Sequence, residues 1–260
     1  MSKLLVVCIL SIFSCANNEK KQKEVGGEAP HYSIGSSDTT LLETCAYFNS
    51  LNNKIRDGLV SKQEALKRIQ TLLPQIKNYF YKHGGQDVTK SRWIFPVQGY
   101  SFTTIGGTNG SGFIASGYDY FDGNKHGGHP AHDIFISDKN QDCIDDITKK
   151  QVNVLSMTGG IVIATETDWD TTSNLRGGKY IWIYDPNANS FFYYAHNDKI
   201  FVQPCDIVNP GDTIATVGRT GLNAFKKRSP SHLHIMQLKL DSNCYPKPVD
   251  CYNALTTIKY

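Results

Sequence analysis

Lys179-Tyr180-Ile181-Trp182-Ile183-Tyr184, then Asp185-Pro186-Asn187-Ala188-Asn189, then Phe191-Phe192-Tyr193-Tyr194-Ala195 reads as two runs of aromatic and β-branched residues around a cluster of turn formers. Strand, reversal and strand make an antiparallel pair. Working outward, similar short runs occupy 160–165, 213–217 and 232–238, and Asn209-Pro210-Gly211 supplies another turn. No helix-length periodic segment separates these runs, which excludes a parallel sheet wound with helices. The C-terminal two thirds is therefore expected to be mostly β, an antiparallel β-sheet domain over 91–260.

Before Phe95-Pro96-Val97 the pattern is helical. Leu41, Leu42, Cys45, Phe48, Leu51 and Ile55 recur at helical spacing, with Gly58 as a stop. Ser61 followed by Glu64 forms a capping box that opens a second run of Leu66, Ile69, Leu72, Leu73, Ile76 and Phe80. These runs predict an N-terminal helical hairpin over 40–90. Two helices alone bury little core, so the hairpin is expected to pack on the β domain. Over the 260 residues, 40% apolar and 20% charged content with 12 Phe and 14 Tyr excludes a disordered chain or a long coiled coil. The net charge of +3 falls far short of a nucleic-acid-binding surface, so no nucleic acid partner is expected.

No apolar run approaches the roughly 18 residues that a membrane-crossing helix needs. The chain starts instead with Lys3, an apolar stretch over 4–13, Ser14-Cys15, and an abrupt change to Asn17, Asn18, Glu19, Lys20 and Lys21. This reads as a signal peptide over 1–14. Ser14-Cys15 resembles the lipobox of bacterial lipoproteins, departing from it at Ile12-Phe13, where Leu and a small residue are commoner. A lipid on Cys15 would hold the chain at a membrane, with the polar, small residues of 15–39 as a flexible tether. Besides Cys15, removal of the signal leaves Cys45, Cys143, Cys205, Cys244 and Cys251, an odd number in a compartment that permits disulfides. Cys244 and Cys251 are close enough to bridge a loop, whereas Cys45 on an apolar helix face reads as a free core cysteine. No CxxC pair is present, which argues against a cysteine zinc knuckle.

The chemistry concentrates in histidines. Of 8 in the chain, four sit in Gly128-His129-Pro130-Ala131-His132-Asp133 and Ser231-His232-Leu233-His234. Residues two apart in a strand share a face, so His232 and His234 point to the same side. In a turn entering a strand, the spacing of His129 and Asp133 lets an imidazole nitrogen and a carboxylate oxygen converge on one ion. Zn²⁺ accepts such a mixed set, and three protein ligands leave a position open. Each piece alone is weak, since an HxH is more often a surface pair than a ligand set. A third histidine, His196, ends the strand Tyr194-Ala195-His196. Neither HExxH nor GxSxG occurs, which removes the zincin and serine-hydrolase routes.

From about Phe95 to the C-terminus the sequence resembles the lysostaphin-type (LytM-like) zinc metalloendopeptidases of bacterial cell walls. The resemblance is carried by Phe95-Pro96-Val97, His129-Pro130-Ala131-His132-Asp133, Gly159-Gly160-Ile161-Val162 and Tyr194-Ala195-His196. It continues in Val208-Asn209-Pro210-Gly211-Asp212, Val217-Gly218-Arg219-Thr220-Gly221 and His232-Leu233-His234. It implies an antiparallel β-sheet of the duplicated hybrid motif type. It also implies one Zn²⁺ held by His129, Asp133 and His234, with His196 and His232 as the catalytic pair that moves protons or steadies an oxyanion. The implied activity is hydrolysis of peptidoglycan peptide cross-links in the periplasm or at the cell surface, where a cell-wall or divisome protein is a further candidate partner. The alternatives are an inactive scaffold of the same fold that binds and activates other wall hydrolases, and a phosphocarrier of the sugar-transport IIA type. The second would need paired histidines without an aspartate ligand.

Two departures stand out. His132 replaces an aliphatic residue and, by strand alternation, should face away from the metal. The insertion 137–150 carries Asp138, Asn140, Asp142 and Asp146 in a partial EF-hand ladder, but Cys143 stands at the required Gly and Lys149 at the bidentate Glu, so calcium is not expected there. His126 reads as a solvated loop histidine. Tyr118 and Tyr120, before the metal motif, are candidates for a phenol donor.

Overall fold

The computed structural model describes residues 36–226 and 229–258; the signal-peptide residues and Cys15 lie outside the described residues. Helix α1 (Ser36–Arg56) and helix α2 (Lys62–Lys82) pack on each other. Residues 36–39, expected to end the tether, are helical, since extending a formed helix costs far less than nucleating one. The Ser61 side chain caps α2 by accepting the Glu64 N–H at 3.3 Å, and Ala65, Ile69, Leu73, Ile76 and Phe80 form its buried row.

The strands are β1 (His132–Phe135), β2 (Asn153–Leu155), β3 (Gly160–Glu166), β4 (Lys179–Asp185), β5 (Ser190–Asn197), β6 (Ile207–Val208), β7 (Thr213–Thr216), β8 (His232–Leu240) and β9 (Pro246–Val249). A short helix, α3 (Tyr252–Thr257), follows. Seven strands form one antiparallel sheet in the order β1-β8-β5-β4-β3-β6, with β9 also pairing with β8, while β2 and β7 form a separate pair. The fold is mostly antiparallel β. The Asp185–Asn189 reversal pairs Tyr184 with Phe191, in agreement with the strand-turn-strand reading.

Alternation sorts the side chains into two cores. Ile161, Trp182, Phe191, Met236 and Leu238 face Phe48, Leu51, Ile55 and Ile69 of the helices. Phe48 meets Phe191 edge-on, with ring centroids 5.7 Å apart. Val162, Ile181, Ile183, Phe192, Tyr194 and Leu233 face the other way, toward Trp93, Phe95, Ile214 and Leu255.

The cysteines depart from expectation. Cys45 is joined to Cys205, 160 residues away, with Cα atoms 5.6 Å apart. It is no free core cysteine, because docking of α1 against the sheet brings it beside the segment that leads into β6. Cys244 and Cys251 are free thiols. Between them runs β9, whose extended residues rise by about 3.3 Å each and carry the two sulfurs apart.

Candidate metal centre

Strand register builds the site. β1 and β8 run antiparallel with Asp133 opposite His234, and on the other side of β8 Ala195 of β5 is also opposite His234. Because alternate residues share a face, His232, His234 and Met236 line one cleft of about 550 Å³ together with Asp133, His129 and His196. His132, one residue off, is buried elsewhere: its Nε2 lies 2.8 Å from Asp250 Oδ1, and its ring stacks on Phe113.

His129, Asp133 and His234 offer ligand atoms that all lie within 4.8 Å of one another. His129 Nε2 is 3.3 Å from Asp133 Oδ2, and His234 Nδ1 is 3.0 Å from Asp133 Oδ1. Atoms bound at 2.0–2.1 Å to a shared tetrahedral zinc stand about 3.3 Å apart. The nitrogen and oxygen donors fit that ion in type and spacing.

Backbone carbonyls set the imidazoles. His129 Nδ1 donates to Gly112 O at 2.8 Å, His196 Nδ1 to Thr220 O at 2.7 Å, and His232 Nδ1 to Pro230 O at 2.6 Å. A carbonyl only accepts, so a neutral ring at 196 or 232 keeps its lone pair on Nε2, whereas His129, raised by the Asp133 carboxylate, donates from Nε2 to Asp133 until an ion takes that position. His232 Nε2 lies 3.8 Å from Asp133 Oδ1, and the His196 and His232 rings are 4.8 Å apart. His196 has a φ of 65°, a left-handed conformation that costs a residue with a Cβ about 1–2 kcal/mol. Its N–H donates to Gly177 O at 3.0 Å, which together with the Thr220 contact holds it there. Gly218 bridges to His232, and a Cβ there would stand 2.4 Å from Asp198 N and 2.7 Å from His196 O. Glycine at 218 is what lets the His196 and His232 segments meet.

Electrostatics follow from burial. Burial alone would raise the Asp133 carboxyl, yet hydrogen bonds from His129 and His234 and the nearby His232 hold it far below the usual carboxylate range. Burial, helped by His232 and His234, pushes His196 well below the ordinary imidazole value, so it is neutral. His234 is lowered by burial against the opposing pull of Asp133.

Tyr118 lines the cleft, whereas Tyr120 turns toward α1 and donates to Asn52 Oδ1 at 3.1 Å. His126 is not simply solvated: it is half-buried at the cleft edge, with its ring 4.8 Å from that of Tyr118. Among the lining residues that escape sequence reading are Arg176 and Tyr193. Tyr193 could have been found by alternation from His232 and pairing across β5 and β8, since it lies opposite Met236. Arg176 sits in a loop with no periodic signal.

Comparison with known families bears on this geometry. Residues 139–246 match the model of Peptidase family M23. The matching segment contains His196, His232 and His234 and begins beyond Asp133. The match agrees with the resemblance to lysostaphin-type peptidases carried by the ordered motifs. Among solved structures, the chain is similar to the catalytic domain of the antimicrobial peptidase lysostaphin from Staphylococcus simulans. Identity is 24% over 50% of this chain and 81% of that one, with a TM-score of 0.36. It is similar to a putative glycyl-glycine endopeptidase lytM from Ruminococcus gnavus, at 20% identity over 84% of this chain and 85% of that one, with a TM-score of 0.40. A zinc-containing peptidase from Vibrio cholerae matches at 20% identity over 65% of this chain and 40% of that one, with a TM-score of 0.39.

Proposed function

We propose that the chain is a zinc-dependent endopeptidase that hydrolyses peptide cross-links of bacterial peptidoglycan. The observation that carries this reading is the convergence of His129, Asp133 and His234 in one cleft with two further histidines whose Nδ1 atoms are spent on backbone carbonyls. His129 Nε2, an Asp133 oxygen and His234 Nδ1 would hold the ion. Bound there, Zn²⁺ supplies Lewis acidity and brings the pKa of water down toward 7.

The chain's own groups divide the remaining work. With no HExxH glutamate, His196 and His232 are the groups that take a proton on Nε2 and return it to the leaving amine, and either can donate to an oxyanion once protonated. Their Nδ1–carbonyl bonds keep the rings from rotating away. The match to Peptidase family M23 supports the reaction class. A scaffold that only activates other hydrolases is disfavoured because all five side chains of the constellation are present.

Export to the cell envelope, with a lipid on Cys15, completes the proposal, and the Cys45–Cys205 disulfide is compatible with an oxidising compartment. Among the described residues no helix is long and apolar enough to cross a membrane. Digestion of purified sacculi, followed by muropeptide analysis with and without chelator, is the test. Chelator-sensitive loss of cross-linked muropeptides is expected; intact cross-links in the presence of stoichiometric zinc would refute the hydrolase and leave the scaffold.

A further inference from the structure

One cation in the cleft has no part in the chemistry above. Arg176 lines both the metal cleft and an adjoining cavity of about 80 Å³, bounded by Asn52 and Ile55 of α1 and by Tyr180. The second arginine of that cavity, Arg56, is already neutralised, 2.8 Å from Asp57 and 2.5 Å from Glu166. Arg176 has no carboxylate partner among the described residues; its Nη1 donates to the His126 carbonyl at 2.5 Å. A guanidinium has five N–H donors, so most of its capacity is unspent. Among the residues that line the two cavities, Asp133 is the single carboxylate, and it is committed to His129 and His234.

The segment that carries Arg176 is held firmly. Its backbone N–H donates to Asn124 Oδ1 at 2.9 Å, and the next carbonyl, Gly177 O, accepts the His196 N–H at 3.0 Å. Gly178 follows with a φ of +62°, where a Cβ would stand 2.3 Å from Gly221 N. The backbone is therefore fixed beside His196 and the guanidinium is tied to the His126 carbonyl at the cleft edge, which lowers the ordering cost of any ligand it meets.

We propose that Arg176 anchors a carboxylate borne by the substrate next to the bond that is cut, so that the cleft selects anionic stem-peptide cross-links over uncharged glycine bridges. This rests on the peptidase reading. A partly desolvated cation without a counter-charge is costly, and a carboxylate matches the planar guanidinium fork with two parallel hydrogen bonds. Lysine would restore the charge but not the fork.

The test uses the full chain and cross-linked muropeptide dimers whose peptide carboxylates are either free or converted to carboxamides. Zinc-loaded wild type is expected to prefer the free acid by about 10- to 100-fold in kcat/KM, the range of a charge-assisted hydrogen bond. R176Q should bring that ratio close to one, mainly through KM, and R176K should retain part of it. Equal use of both dimers by wild type, or an unchanged ratio in R176Q, overturns the anchor; the wild-type ratio decides even if the variants fold poorly. Should wild type cut neither dimer, the peptidase reading falls, and calorimetric binding of the two dimers to metal-free protein decides the anchor separately. Tighter binding of the free acid that is lost in R176Q supports it, and equal binding refutes it.

Discussion

At the scale of single residues, the proposed division of labour rests on which ring nitrogen is free. His234 presents Nδ1 to Asp133, whereas His232 spends Nδ1 on Pro230 O and lies one step further from the carboxylate. His234→Ala should therefore lose both bound zinc and turnover. His232→Ala should keep near-stoichiometric zinc while turnover falls by about 10²- to 10⁴-fold, the usual worth of a positioned acid or base. Metal analysis alongside muropeptide release checks this, and equal zinc loss in the two variants would end the distinction. Gly218→Ala is expected to disturb the same pair sterically, since its Cβ would meet backbone atoms at 2.4 and 2.7 Å. Turnover should fall more than zinc content, because His129 and Asp133 sit on β1 and the loop before it, away from the collision.

Among the elements, β8 does two jobs. His232 and His234 face the cleft, and Met236, Leu238 and Leu240 continue the same face under the helices. The hairpin therefore covers one end of the sheet face whose other end holds the candidate metal centre. Phe48, buried on α1 against Phe191, is central to that contact. Phe48→Ala should cost about 3–5 kcal/mol of stability, as large-to-small changes in a packed core do. Urea unfolding followed by tryptophan fluorescence would measure it. A cost below about 1 kcal/mol would mean that α1 is not docked as described.

For the whole molecule, the Cys45–Cys205 disulfide ties α1 to the segment that leads into the edge strand β6 across a separation of 160 residues. Closing so long a loop restricts the unfolded chain, and such bonds contribute about 2–5 kcal/mol. Reductant, or Cys45→Ala with Cys205→Ala, should lower the urea midpoint while zinc content persists, because the proposed ligands lie on β1, β8 and the loop before β1. An unchanged midpoint would show that the bond does not form. The three free thiols, Cys143, Cys244 and Cys251, should be countable by thiol titration of the unfolded signal-free chain without reductant, once any lipid-bearing Cys15 is removed.

Much of this was legible in one dimension. Runs of aromatic and β-branched residues and the Asp185–Asn189 turn gave β4 and β5 nearly to the residue, and the Ser61–Glu64 cap gave the start of α2, because these signals depend on neighbours a few bonds away. His232 and His234 share a face for the same local reason, and the ordered motifs pointed to His129 and Asp133. The short strands β2, β6 and β9 carried no such pattern, being too brief for a period to register. Chain folding alone settled which cysteines meet, that the helices share a sheet face with the candidate metal centre, and that Arg176 from an unpatterned loop joins the cleft of His196. Those are contacts between residues far apart in the chain, and nothing in the local energetics of either partner encodes the other.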